Sequence, residues 1–169
     1  MNLQKTKTYP IALSEIKEDL RISETDSSYD GQLSRLIKSA VHICESYLGF
    51  DVVPTSTILT EYDYSSGYKY FINQPLAVVT SIVIDGQPYT GYSIQFNQMN
   101  TIIVFKKSVD CKTMVVNYNT GSIPAHDIQR AISIKVAELF DVDVNGYTAN
   151  VSASNSFERI LGGHKNFIY

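Results

Sequence analysis

Between Leu33 and Leu48, apolar side chains return at steps of three and four: Leu33, Leu36, Ile37, Ala40, Val41, Cys44, Tyr47 and Leu48. At ~100° per residue these positions fall within about 160° of arc, which predicts an amphipathic helix over about residues 28–48. Gly49 follows as a left-handed stop. A shorter helix is expected over about 14–20, capped by Ser14, with Glu15, Glu18 and Asp19 near its positive end and Ile16 and Leu20 on one face. A third stripe of Ile128, Ala131, Ile132, Val136 and Leu139 predicts a helix over about 124–141, opened by Pro124 and Asp127.

From about residue 55 to 119 the period shortens to short alternating runs separated by turn residues, as strands require. TSTILTEYDY and YKYFINQ flank Ser65-Ser66-Gly67 at hairpin spacing, with Ile58, Thr60, Tyr62 and Tyr64 on one face of the first run. AVVTSIVIDG sets Val78, Thr80, Ile82 and Ile84 along one side and meets Asp85-Gly86, a strong two-residue hairpin signal. YSIQF and TIIVF bracket residues 97–100, and TMVVNY follows. Five or six short antiparallel strands are therefore expected. The implied fold class is α+β, a small antiparallel helical bundle with a β-rich middle segment, and residues 1–142 are expected to form a single domain.

Residues 143–169 read as a loop and an apolar C-terminal arm. The first part is small, polar and without period; Phe157, Ile160, Leu161, Phe167, Ile168 and Tyr169 then follow. Chain ends are ordinarily polar and frayed, so these six side chains are expected to find cover on another polypeptide. Lys135 lies inside the apolar arc of its helix, where a charge must snorkel or meet a carboxylate. Ile134 and Ala137 stand on the polar side of the same helix. Arg130 and Ile134 are expected to face a neighbouring subunit, an isolated exposed Ile being the equal alternative.

Composition narrows the function. The 169 residues include 44% hydrophobic and 18% charged side chains with a net charge of −3, enough for one core that buries roughly 70% of the unfolded surface. So mild an acidity offers no basic field for a polyanion and argues against general nucleic-acid binding. No apolar run approaches the ~18 residues of a membrane span, nor does the N-terminus look like a secretory leader. Cys44 and Cys111 lie far apart and outside any CxxC spacing, which frames neither a metal site nor a disulfide and fits a reducing cytoplasm. Twelve tyrosines beside no tryptophan suit half-wet strands and protein interfaces.

Candidate chemistry is sparse. Asp141, Asp143 and Asn145, followed by Gly146, match the opening of a calcium loop, but the position of the bidentate Glu holds Ser152. A helix-ending loop explains them better, and no metal or other cofactor is expected. His42 and His126 fall on the polar sides of their helices and His164 follows two glycines, with no nucleophile motif beside any of them. No catalytic residue is assigned. Cys44 belongs to an apolar stripe, whereas Cys111 is expected on an exposed loop. Lys106, Lys107 and Lys112 form a basic cluster, read either as a solvated strand end or as a contact to an acidic protein surface or to DNA phosphates.

The order of parts carries a resemblance. PIALSEIKEDLRI, then QLSRLIKSAVHICESYLG, then PLAVVTSIVIDG, then VVNYNTGSIPAHDIQRAISIKVAELFDV resembles the head-to-tail connector, or head-completion adaptor, proteins of tailed bacteriophages and prophages over about residues 9–142. The most specific piece runs through Tyr118, Gly121, Pro124 and Asp127. The resemblance implies a structural adaptor at the virion head–tail junction, assembled in the bacterial host cytoplasm. It implies a homo-oligomeric ring of about a dozen copies on the portal protein, meeting a tail-side completion or stopper protein and letting DNA pass without sequence-specific binding. The apolar end is then an assembly arm. A stand-alone β-rich module for a sugar or peptide is the alternative, and an enzyme of unrecognised type the third.

Overall fold

The computed structural model describes residues 1–97, 100–121, 124–145 and 151–165. They form two compact units, one of residues 1–8 and 53–121, the other of residues 9–52 and 124–165.

The first unit is an antiparallel sheet of six strands among the described residues: β1 (Asn2–Lys7), β2 (Thr55–Ile72), β3 (Val78–Ile84), β4 (Gln87–Pro88), β5 (Tyr92–Phe96) and β6 (Thr101–Thr120). The order is β1-β2-β6-β3-β4, with β5 also on β6. β2 runs beside β6 from Thr55↔Thr120 to Ile72↔Thr101. β3 takes Met114–Asn119 and β5 takes Thr101–Phe105, so they share the other edge of β6 end to end.

One expected hairpin and one expected break between strands are thereby corrected. Ser65-Ser66-Gly67 is no turn: both flanking runs pair with the same partner strand, and the register slips on either side of Gly67. Asp63 and Gly67 both have positive φ, and the long ladder bends there. The bend folds the ladder onto itself. In a straight strand Glu61 and Tyr70 stand about 30 Å apart, yet the Tyr70 hydroxyl donates to Glu61 Oε1 at 2.8 Å. TIIVF and TMVVNY are likewise one strand, and Cys111, expected on a loop, is buried within it. The two halves enclose Leu59, Ile72, Ile82, Ile103, Phe105, Val109, Met114, Val116 and Tyr118.

The Asp85-Gly86 reading holds. φ values of 47° and 80° make the double-positive turn that joins Ile84↔Gln87. Asp85 Oδ1 also accepts the Thr113 N–H at 2.8 Å. Buried Thr101 fastens the β2–β3 connection, accepting from Ala77 N–H at 2.7 Å and donating to the Gln74 carbonyl at 2.9 Å. β1 was not anticipated, because one Leu in NLQKTK gives no alternation; its pairing with Thr55–Thr60 creates it.

The second unit is helical: α1 (Leu13–Asp19), α2 (Asp30–Leu48), α3 (His126–Asn145) and α4 (Val151–Lys165). The α2 stripe is buried as expected from Leu33 to Leu48, apart from half-buried Tyr47, and Gly49 stops the helix at φ 82° with its N–H on the Glu45 carbonyl. α1 is capped by Ala12 without a side-chain bond, not by Ser14. Buried Lys17 ties the α1–α2 connection, 2.6 Å from Asp30 Oδ1 and donating to the Glu24 carbonyl at 3.2 Å.

The largest correction is α4, placed where a loop and free arm were expected. Phe157, Ile160, Leu161 and His164 sit at helical steps, and α4 packs on α3 and α2. Gly162 and Gly163 weaken helix propensity by about 1 kcal/mol each, but burial of Phe157 and Leu161 outweighs that. Leu161→Ala is expected to lower unfolding free energy by about 3 kcal/mol, against about 0.5 kcal/mol or less for exposed Glu158→Ala. Urea titration of both variants checks this; equal midpoints would exclude α4 from the core.

Candidate assembly surface

Phe157 explains Lys135. Its ring lies 6.0 Å from that of Tyr47 on α2, in edge contact, while the Lys135 ammonium from α3 sits 4.8 Å above its centroid. The same ammonium is 2.6 Å from Glu138 Oε2. The charge inside the apolar arc thus meets both a carboxylate and a π face. At the other end of α4, His164 Nε2 contacts Asp127 Oδ2. That contact first, then the Ile128 N–H, hold the Asp127 carboxyl below its usual range.

These contacts dispose of part of the expected interface. Phe157 and Leu161 are buried in the helical unit, so they do not await cover from another polypeptide. Ile160 and Ile134 are half-buried and Arg130 is exposed. Phe167, Ile168 and Tyr169 lie outside the described residues.

The polar candidates do not converge. Asp141 is exposed, and the side chains of Asp143 and Asn145 lie outside the described ones. No group of His, Cys, Asp or Glu able to hold a metal exists among the described residues. His42 and His126 are exposed on their helices. Burial pushes the Cys44 thiol up to about 12 and raises that of Cys111 too, which suppresses thiolate at neutral pH.

The large apolar groups open to solvent lie elsewhere. Among the described residues all belong to the sheet unit: Met1, Leu3, Ile58, Tyr62, Tyr68, Phe71, Leu76, Val78 and Phe96. Sequence reasoning singled out none of them as interface. Part of the signal was visible, since Ile58 and Tyr62 do share a face. The rest was hidden by bulges. A slip between Val79 and Ser81 turns Val78 outward while Ile82 faces the core, and the Asp63 kink sends Tyr64 inward, away from Tyr62.

Register defines the outward face. Residues directly opposite one another share a side, which gives rows of Thr6, Ser56, Asn119 and Val78; Gln4, Ile58, Asn117 and Ser81; and Asn2, Thr60, Val115 and Val83. No row contains a charged residue. Depletion of charge beside exposed Tyr and aliphatic groups marks the centre of a protein interface. On the inward side, at the β1 edge, a recess of about 270 Å³ opens among Leu3, Lys5, Leu59, Tyr70, Phe71 and Tyr118. The Tyr70 hydroxyl is committed to Glu61 and that of Tyr64 to the Lys69 carbonyl at 3.0 Å. These tyrosines are structural.

Comparison with known proteins gives a consistent picture. The family model described as "Head completion protein" matches residues 11–153. No curated protein matches the chain. Among solved structures, a chain in the neck of an empty GTA particle computed with C6 symmetry superposes with a TM-score of 0.74 at 14% identity, covering 95% of each chain. A chain in the virion of a native gene transfer agent particle gives 0.71 at 15% identity, covering 94% of each. One in the neck of a native GTA particle computed with C12 symmetry gives 0.71 at 14%, covering 95% of this chain and 94% of that one. At such identities the likeness establishes the fold.

The Asp127–His164 contact sets a pH dependence. A carboxyl depressed in the folded state favours folding above its unfolded pKa of about 3.9 and loses that contribution as pH falls through the lower folded value. The parent is therefore expected to have the higher unfolding midpoint near neutrality, and the difference from Asp127→Asn to vanish as pH falls through the lowered folded-state value of Asp127. A constant difference across that range would show that the ionised carboxylate contributes nothing.

Proposed function

The chain belongs to the head completion protein family, a structural component of the head–tail junction, and we propose that it works there as an adaptor ring. Copies associate head to tail with cyclic symmetry, each offering one face to a different face of the next. The ring sits on the portal, meets a tail-side completion or stopper protein, and lines a channel through which DNA passes. The observation that carries this reading is the match across residues 11–153, supported by three charge-free rows on the outward face of the sheet that leave Ile58 and Val78 open to water, with exposed Tyr62 beside them.

A structural role also suits the polar inventory. The histidines are dispersed or engaged, and both thiols are buried. The ligand-module reading is weakened by the tyrosines, because Tyr64 and Tyr70 spend their hydroxyls inside the sheet unit. Phe167, Ile168 and Tyr169 keep their proposed place in an assembly arm, alongside half-buried Ile160, Ile134 and exposed Arg130.

Negative-stain imaging of the purified chain, alone and mixed with portal rings, tests the proposal: ring-shaped oligomers or capped portals are expected. The double substitution Ile58→Ser with Tyr62→Ser is expected to leave the melting temperature of the monomer within about 2 °C of the parent, since both side chains are exposed. It should reduce association at least about tenfold, the effect of about 1.4 kcal/mol. Association at the parental level in this variant would remove the outward face from the interface, and a chain that neither oligomerises nor binds portal rings would end the adaptor reading.

A further inference from the structure

The net charge of −3 conceals a division. Residues 1–8 and 53–121 hold six lysines, Lys5, Lys7, Lys69, Lys106, Lys107 and Lys112, against Glu61, Asp63, Asp85 and Asp110, a net of +2. The remainder of the chain holds thirteen acidic and eight basic residues, a net of −5. Within each unit the excess is concentrated. In the sheet unit it gathers at the bend of the ladder, where the register moves from Gly67↔Val109 to Lys69↔Val104. Tyr68 therefore lies opposite the stretch of β6 between Val104 and Val109, which carries Lys106 and Lys107. Tyr68, Lys69, Lys106 and Lys107 are all exposed, and among the described residues none of these lysines makes an ion pair.

In the helical unit most of the acidic excess lies on α1 and the turn after it, where Arg21 is the one basic side chain open to solvent. Glu15, Glu18 and Asp19 stand three and four residues apart on one helix face, with Glu24 following, and all four are exposed. Like charges at these spacings repel by a few tenths of a kcal/mol per pair. The one lysine of the helix, Lys17, is buried and spent on Asp30. None of the four acids has an ion-pair partner among the described residues.

Building on the ring reading, we infer that the lysine bend of the sheet unit, with Tyr68 as its apolar anchor, docks on the acidic face of α1 in a second copy of this chain. The opposite signs reside on different units of one polypeptide, which is what a head-to-tail contact needs: each copy presents both halves and no copy is self-complementary on one patch. An exposed tyrosine ringed by charges has the make-up of an interface hot spot. A duplex is the poorer occupant, because the bend has no arginine and Asp63 and Asp110 flank it.

Charge exchange tests this directly. One variant carries K106E and K107E, another E15K and E18K; circular dichroism confirms folding, since all four sites are exposed. By sedimentation velocity, alone and with portal rings, each variant is expected to lose self-association about tenfold or more. An equimolar mixture is expected to recover it, because the bend of each then meets the opposite sign on the other. Parental assembly should weaken as salt rises above about 0.15 M. Undiminished assembly of either variant, or a mixture that fails to recover, overturns the docking. So does loss of duplex-DNA retention in K106E/K107E with assembly intact, which makes the bend a phosphate contact. If the parent assembles and these variants do as well, only this docking falls; if the parent never assembles, the ring reading falls with it.

Discussion

The sheet unit depends on one strand that has to satisfy three partners. β6 gives one edge to β2, with a register break between Val104 and Val109, and divides the other between β5 and β3. A straight ladder of that length would leave both faces wet. The kinks at Asp63 and Gly67 instead fold the first half over the second, and seven of the eleven core residues of this unit come from β6: Ile103, Phe105, Val109, Cys111, Met114, Val116 and Tyr118. The interior is thus filled by the strand's own neighbours. Because the inward face is covered in this way, the outward rows carry no packing duty within the sheet, and their lack of charge calls for another cause. A surface destined to lose its water supplies one, since desolvating Asn, Thr and Val costs far less than desolvating an unpaired Lys or Glu.

In the helical unit Phe157 has the comparable position. It joins three helices through a ring on α4, a ring on α2 and an ammonium on α3. Burying a side chain of that size is worth about 1.5–3 kcal/mol relative to exposure, and Leu161 adds a similar term. An arm that released these groups to reach a neighbour would forfeit that stabilisation first, so assembly through them is disfavoured. Half-buried Ile160 and Ile134 can take part at small cost.

How much of this was legible follows from which signals are local. α2 and α3 were readable because a stripe of period 3.6 appears in any helix with one dry face, and Gly49 supplied its stop. Asp85-Gly86 was readable because few other turns want two positive φ values in succession. Ser65-Ser66-Gly67 was misread because the same residues that permit a tight turn also permit a bulge, and only the distant strand β6 decides between them. α4 was missed because Gly162-Gly163 and a polar lead-in argue for loop, while its stability comes from packing on α3 and on α2, as in the contacts of Phe157 with Lys135 and Tyr47. The exposed apolar face was hidden for a related reason: each bulge reverses the parity of the residues beyond it, so alternation alone placed Val78 beside Ile82. The family was legible from the order of parts, which survives when individual contacts do not.

The same distinction between local and summed quantities governs the electrostatics. A net charge of −3 argues against a polyanion-binding chain only if the charge is spread evenly. At physiological ionic strength a charge is felt over about 8 Å, so a partner approaching the ladder bend responds to Lys69, Lys106 and Lys107, not to acids elsewhere in the chain. Head-to-tail contacts in a closed ring would use the basic patch of every copy against the acidic patch of the next, leaving neither exposed. What then faces solvent or DNA is the remainder, close to neutral or mildly acidic. Such a wall would neither grip a phosphate backbone nor repel it strongly over distance, and under the proposed docking it would arise because the contact between copies consumes the concentrated charges of both signs.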